Sequence, residues 1–155
     1  MALIIHPTIQ NTPNADYHFI TRLEEKALEI YIGNEETRKV KEFDYIIEIS
    51  DENQVYEPLT YKVNAILQLQ FDDTRKYNIL QEIHKVSDFM YHCNNGKLLI
   101  HCGEGVSRSP SILIMYLIHI YKYTYLDAFN IISSKRFIKP NIGFMKQLQK
   151  MNIKY

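Results

Sequence analysis

The stretch KLLIHCGEGVSRSP, residues 97–110, decides how this chain folds. It opens on a continuous apolar run, passes through a loop with two glycines, and ends where a long apolar helix is predicted to begin. An apolar run without alternation is typical of a central strand that is covered on both faces. The stretch therefore predicts a buried strand, a tight loop and a helix in direct succession.

The loop has the properties of a binding site for a tetrahedral dianion. A loop that leads into a helix N-terminus directs several backbone N–H groups and the positive end of the helix dipole at one point. The same field favours a thiolate and predicts a nucleophile at Cys102. Arg108, six positions later, is planar and permanently charged, and can hold two oxygens of a phosphoryl group. The residues expected to bind the phosphate are Gly103, Glu104, Gly105, Val106, Ser107 and Arg108.

These residues resemble a known family. The chain matches the motif His-Cys-x-x-Gly-x-Ser-Arg-Ser of the cysteine-based protein tyrosine phosphatase superfamily at His101, Cys102, Gly105, Ser107, Arg108 and Ser109. The ending Ser-Arg-Ser-Pro is similar to the dual-specificity branch and its small, atypical members. A second stretch, RFIKPNIGFMKQL at 136–148, is similar to the family's Arg-x-x-Ile-x-Pro-Asn-x-Gly-Phe-x-x-Gln-Leu. The resemblance runs from about residue 20 to residue 148, and no motif position departs from the active pattern.

The resemblance implies dephosphorylation of phosphotyrosine and phosphoserine or phosphothreonine in proteins through a cysteinyl-phosphate intermediate. Cys102 attacks phosphorus, Arg108 binds the phosphoryl oxygens, and Ser109 steadies the departing thiolate by a hydrogen bond. His101 is implied to orient the cysteine loop, and Asn141 to brace it from behind. The mechanism requires no metal and no cofactor.

The general acid is sought in a loop near the pocket. A phosphate ester needs a proton donor for its leaving oxygen, and the adjacent carboxylates Asp72 and Asp73 lie in such a loop. Spacing alone does not distinguish them, and both also suit the start of a helix. In the dual-specificity phosphatases the acid precedes a helical aliphatic residue by six positions, which matches Asp73 and Ile79. The resemblance therefore implies Asp73.

The pattern along the chain predicts an α/β fold. We expect a central, mostly parallel sheet of about five strands with helices on both faces. Residues 1–18 are expected to form a flexible N-terminal arm, and 19–155 a single catalytic domain. The predicted strands are 20–23, 28–32, 45–49, 61–63, 66–69 and 98–100. The predicted helices are 78–92, 109–122, 125–133 and 144–151, with a helical turn at 35–41.

Composition limits the cellular setting and the partners. Two cysteines make no disulfide framework, and a reactive thiolate needs a reducing compartment. No basic stretch with an apolar core opens the chain, and no apolar run reaches membrane-spanning length. We expect a soluble protein of the cytoplasm or nucleus, a monomer or weak homodimer, which acts on phosphorylated proteins and not on nucleic acid or membranes. Cys93 is either an inert thiol or a resolving partner for an oxidised Cys102.

Some of these residues also suit other functions. His92-Cys93 and His101-Cys102 offer zinc ligands, but their spacing fits no known finger. Low-molecular-weight phosphatases carry a similar cysteine motif near the N-terminus, whereas here it lies two thirds along the chain. A phosphatase of RNA 5′ ends or phosphoinositides usually has extra basic residues in the loop, where this chain has Glu104. A module that binds phosphoproteins without hydrolysis is the fourth alternative.

Overall fold

The computed structural model describes residues 12–152. Its strands are β1 (Tyr17–Leu23), β2 (Leu28–Gly33), β3 (Tyr45–Ser50), β4 (Ala65–Gln70) and β5 (Gly96–His101). Its α-helices are α1 (Ile83–Tyr91), α2 (Arg108–Tyr121), α3 (Tyr125–Ser133) and α4 (Ile142–Lys150). Short 3-10 helices span Glu24–Lys26, Glu35–Lys39 and Ile79–Glu82.

The five strands form one sheet in the order β1-β2-β5-β3-β4. Only the β1–β2 pair is antiparallel, and the other three pairs run parallel. In the centre, Ile100 of β5 lies opposite Ile32 on one side and Ile47 on the other. The prediction of about five mostly parallel strands is confirmed, as is the central position of the apolar run at 98–100.

Two hydrophobic cores lie on opposite faces of the sheet, because successive strand residues point to opposite sides. Ile100 of β5 belongs to the larger core, which contains buried residues of all four α-helices. Leu99 belongs to the smaller core, together with Val40 and Phe43. The helices that we expected on both faces are therefore divided unequally. The four α-helices pack on one face, while the 3-10 helix Glu35–Lys39 and irregular chain cover the other.

The helix that follows the loop is buried, as the sequence predicts. Every residue from Arg108 to Ile118 is buried, because α2 packs against the sheet and against α1, α3 and α4. Pro110 lies in the first turn, where a missing backbone N–H breaks no helical hydrogen bond. Lys122 ends the helix with a positive φ of 61°. The first turn, which carries Arg108 and Ser109, is thus fixed by packing on all sides.

Three segments differ from the predicted elements. The prediction of a strand at 61–63 is wrong: Tyr61 and Val63 pack on the smaller core from an irregular segment, and the Tyr61 hydroxyl donates to the Arg38 carbonyl at 2.7 Å. The predicted helix 78–92 begins as a 3-10 turn. β1 begins at Tyr17, inside the segment expected to be an arm, and residues 1–11 of that arm lie outside the described residues.

Candidate active site

The predicted nucleophile lies at the end of the central strand. β5 ends at His101, and Cys102 opens the loop that leads into α2. The Cys102 Sγ accepts a hydrogen bond from the backbone N–H of Gly105 at 3.2 Å and lies 3.2 Å from the Ser109 Oγ. Both contacts can stabilise negative charge on the sulfur, as does the nearby N-terminus of α2.

Gly105 gives the loop the conformation that this contact requires. Its φ of 72° lies in the left-handed region, which residues with a side chain rarely adopt. A Cβ atom at this position would lie 2.5 Å from the carbonyl oxygen of Gly33 at the end of β2. The glycine therefore lets the loop fold against the sheet while its N–H points at the sulfur of Cys102.

The Arg108 guanidinium is held by acceptors at the same edge of the sheet. Its Nη1 donates to Asp51 Oδ1 at 2.6 Å and to the Phe71 carbonyl at 3.1 Å. Asp51 follows β3 and Phe71 follows β4, so that both reach the carboxyl edge where β5 delivers Cys102. The Nη2 atom faces the loop, since a Cβ atom on Gly103 would lie 3.5 Å from it. Sequence analysis did not identify Asp51, because its partnership depends on strand pairing.

The two adjacent carboxylates point in different directions. Asp73 Oδ1 accepts hydrogen bonds from Ser107 Oγ at 2.7 Å and from Asn141 Nδ2 at 2.8 Å. Asp72 Oδ1 instead accepts the backbone N–H of Glu52 at 2.8 Å. Of the two, only Asp73 lines the cavity that contains Cys102. The geometry thus favours Asp73, the residue that the resemblance implies and that spacing alone did not distinguish from Asp72.

Asn141 connects the acid, the loop and a helix. Its Oδ1 accepts the backbone N–H of Phe144 and caps α4, and its own N–H donates to Ser107 Oγ at 3.0 Å. Its side-chain amide donates to Asp73. We expected Asn141 to brace the phosphate loop from behind. Its contact with the loop runs through Ser107, and it also orients Asp73.

These residues surround a cavity of about 360 Å³. Its lining consists of Asp73, Cys102, Gly103, Glu104, Val106, Ser107, Arg108 and Lys139. Gly105 and Ser109, which the sequence also predicts for the site, contact the Cys102 Sγ and do not line the cavity. Sequence analysis did not single out Lys139, whose backbone N–H donates to the Val106 carbonyl at 2.8 Å.

Residues 30–154 match the family model described as the catalytic domain of dual specificity phosphatases. The chain belongs to the dual specificity phosphatase family. It is 35% identical over 109 residues to the putative tyrosine phosphatase 123R of Invertebrate iridescent virus 6, covering 68% of this chain and 72% of the viral protein. It is 42% identical over 81 residues to a probable rhodanese domain-containing dual specificity protein phosphatase of Dictyostelium discoideum, covering 50% of this chain but only 17% of that protein.

Solved structures show the same fold. The human tyrosine phosphatase-like serine/threonine/tyrosine-interacting protein matches with a TM-score of 0.71 at 24% identity, over 86% of this chain and 93% of that chain. The predicted small dual-specificity phosphatase is thereby confirmed as to family and fold. The predicted class of enzyme, a protein-tyrosine/serine/threonine phosphatase, is confirmed at the level of the family.

In this dual specificity phosphatase, a buried carboxylate anchors the residue before the cysteine. His101 Nε2 lies 3.1 Å from Glu48 Oε1, because the register of β3 and β5 places the two residues opposite each other. Arg38 Nε donates to the same oxygen at 2.6 Å. Burial alone would raise the pKa of Glu48, but the hydrogen bonds from His101 and Arg38 outweigh it and lower the pKa to about 2. The sequence pointed to His101 but not to its partner Glu48, nor to Arg38, which binds Glu48.

Arg136 is a further supporting residue, which the sequence named only within the second motif. Its buried guanidinium donates to the Gly105 carbonyl at 2.9 Å and to the Glu104 carbonyl at 3.0 Å. Asp16 lies 3.3 Å away as its counter-charge. One planar group thus binds two neighbouring carbonyls of the loop at the same time.

The second cysteine is a buried thiol. Cys93 is 1% exposed, its Sγ donates to the Phe89 carbonyl at 3.3 Å, and burial raises its pKa to about 12. These properties favour an inert thiol over a resolving cysteine. Among residues 12–152, no three His, Cys, Asp or Glu side chains are grouped so that they could hold a metal ion. Within the same range, every helix is too short or too polar to cross a membrane.

Proposed function

We propose that this chain hydrolyses phosphotyrosine and phosphoserine or phosphothreonine in proteins through a cysteinyl-phosphate on Cys102. The observation that carries the proposal is the position of the Cys102 Sγ. It accepts a backbone N–H inside a loop that opens a helix, and it shares a cavity with Arg108 and Asp73. Such a loop suits the binding of a phosphate dianion next to a nucleophilic sulfur.

The reaction proceeds in two steps. In the first, the Cys102 thiolate forms a bond to phosphorus while the bond from phosphorus to the leaving oxygen breaks. Asp73 gives its proton to that oxygen, and Arg108 binds the equatorial oxygens. In the second step, water attacks phosphorus and its proton passes to Asp73. The sulfur leaves as a thiolate, which Ser109 stabilises from 3.2 Å.

Two alternatives differ from this proposal in substrate or in outcome. A substrate with several phosphates, such as an RNA 5′ end or a phosphoinositide, is disfavoured because Glu104 lines the cavity and adds negative charge. The second alternative is a module that binds phosphoproteins without hydrolysis, and one solved structure with this fold is called a tyrosine phosphatase-like interacting protein. Against it, this cavity holds both a nucleophilic and an acidic side chain, Cys102 and Asp73.

Replacement of the nucleophile tests the proposal. Cys102→Ser should abolish turnover of a small aryl phosphate while phosphopeptide binding, measured by calorimetry, is retained. The matched control is Cys93→Ser, which removes the other thiol and should leave turnover unchanged. Hydrolysis that persists in Cys102→Ser would contradict the proposal, and a wild-type chain that binds phosphopeptides without turnover would support the binding module.

The cellular setting belongs to the same proposal. A nucleophilic thiolate stays usable only in a reducing compartment, which suits the cytoplasm or the nucleus. We also expect a monomer or a weak homodimer, since the proposed site is built from one chain. Sedimentation at several concentrations measures the oligomeric state.

A further inference from the structure

An apolar cavity adjoins the proposed catalytic pocket. It measures about 490 Å³ and lies between α3, the connection at 134–141 and α4. Its apolar and aromatic walls are formed by Tyr125, Phe129, Ile138, Pro140, Ile142 and Met145. The rings of Tyr125 and Phe129 pack at 5.9 Å, and Ile142 remains 46% exposed. Concave apolar surface of this kind suits an apolar side chain of a ligand.

The two cavities share a wall that is fixed to the reacting groups. Lys139 lines both cavities, and its N–H is bonded to the Val106 carbonyl of the phosphate loop. Asn141 lines the apolar cavity and donates to Asp73. Lys139 is the residue that the two linings have in common, so an apolar group bound in this cavity lies next to a phosphate bound above Cys102.

We propose that this cavity is a specificity subsite, which binds an apolar side chain close in sequence to the phosphorylated residue of a protein substrate. The inference rests on the proposed function, because it requires a phosphoprotein segment in the catalytic pocket. Burial of an apolar side chain favours binding, whereas a carboxylate at the same position would lose hydration among walls in which six of the eight lining residues are apolar or aromatic and only Lys139 is charged.

A peptide series measures the preference of the wild-type chain. Each phosphotyrosine peptide carries alanine at every flanking position except one. That position is leucine in one peptide and glutamate in its pair, and it differs from pair to pair. We expect kcat/KM to be about ten-fold higher for leucine than for glutamate at one of the flanking positions. A flat series on a chain that hydrolyses a small aryl phosphate would overturn the subsite and leave the proposed function intact. No hydrolysis of the aryl phosphate would overturn the proposed function itself.

A change in the wall should change the preference in a defined direction. Met145→Lys should favour glutamate over leucine at the same peptide position and leave turnover of the aryl phosphate unchanged. The matched control is Leu126→Lys on α3, where a 62% exposed residue outside the lining is replaced and the leucine preference should persist. If Met145→Lys does not fold, Ile142→Lys provides the same test. An unchanged preference for leucine would contradict the proposal. So would a flat peptide series for a wild-type chain that forms a dimer, if these variants dissociate that dimer.

Discussion

Glu48, Arg38 and His101 form a buried charged cluster beneath the phosphate loop, and the size of its contribution to stability can be predicted from the structure. The Glu48 side chain is 1% exposed and binds both Arg38 and His101. The fall of its pKa from 4.5 to about 2 corresponds to about 3 kcal/mol of stability at neutral pH. Removal of one partner from a buried ion pair costs a similar amount, about 3 to 5 kcal/mol. Glu48→Gln should therefore lower the free energy of unfolding by about 3 kcal/mol at pH 7.

Urea unfolding measured at several pH values tests this reasoning. Because the pKa of Glu48 is lowered in the folded state, its contribution is complete above about pH 4.5 and disappears as the pH falls toward 2. The difference between wild type and Glu48→Gln should thus shrink by about 1.4 kcal/mol for each pH unit below about 4.5. Glu36→Gln is the control, since Glu36 forms an exposed pair with Lys39 and should change stability by less than about 0.5 kcal/mol. A Glu48→Gln effect below about 1 kcal/mol, or one independent of pH, would refute the reasoning.

Three further predictions concern the site. Asp73→Asn should slow turnover of substrates with poor leaving groups about 10²-fold and remove one limb of the pH–rate profile. Asp72→Asn should do neither, and steady-state kinetics over a pH range distinguishes the two carboxylates. Gly105→Ala should weaken competitive inhibition by inorganic phosphate by at least about ten-fold. The φ of 72° at Gly105 and the 2.5 Å between a Cβ atom there and the Gly33 carbonyl oxygen exclude a side chain. Unchanged inhibition would contradict this prediction. Iodoacetamide at neutral pH should alkylate Cys102 and not Cys93, whose pKa is raised to about 12 by burial; peptide mass spectrometry locates the label.

Local sequence predicted the elements whose burial can be recognised from their own run of apolar residues. The continuous apolar run at 98–100 required a central strand, and the chain beyond Pro110 required a buried helix. The loop between them was predictable because its glycines, cysteine and arginine lie within seven residues. The order of strand, loop and helix that creates the candidate site therefore follows directly from residues 97–110.

The supporting contacts were not predictable, because they depend on which strands pair. Glu48 meets His101 only through the register of two parallel strands that are separated by 53 residues in sequence. Asp51 reaches Arg108 across 57 residues for the same reason. Alternating apolar residues at 61–63 resembled a strand, but they serve the smaller core. A local pattern records which residues are buried, and does not record what covers them.

The central claim is that the sulfur of Cys102 takes the phosphoryl group from the substrate. Rapid acid quench of Asp73→Asn during turnover of an aryl phosphate with a good leaving group tests it most directly. The first step then needs no acid, while the second lacks its base, so that the intermediate should accumulate. Mass spectrometry should find close to one phosphoryl group per chain, attached to Cys102. A phosphoryl group on another residue, or turnover with none on Cys102, would contradict the account.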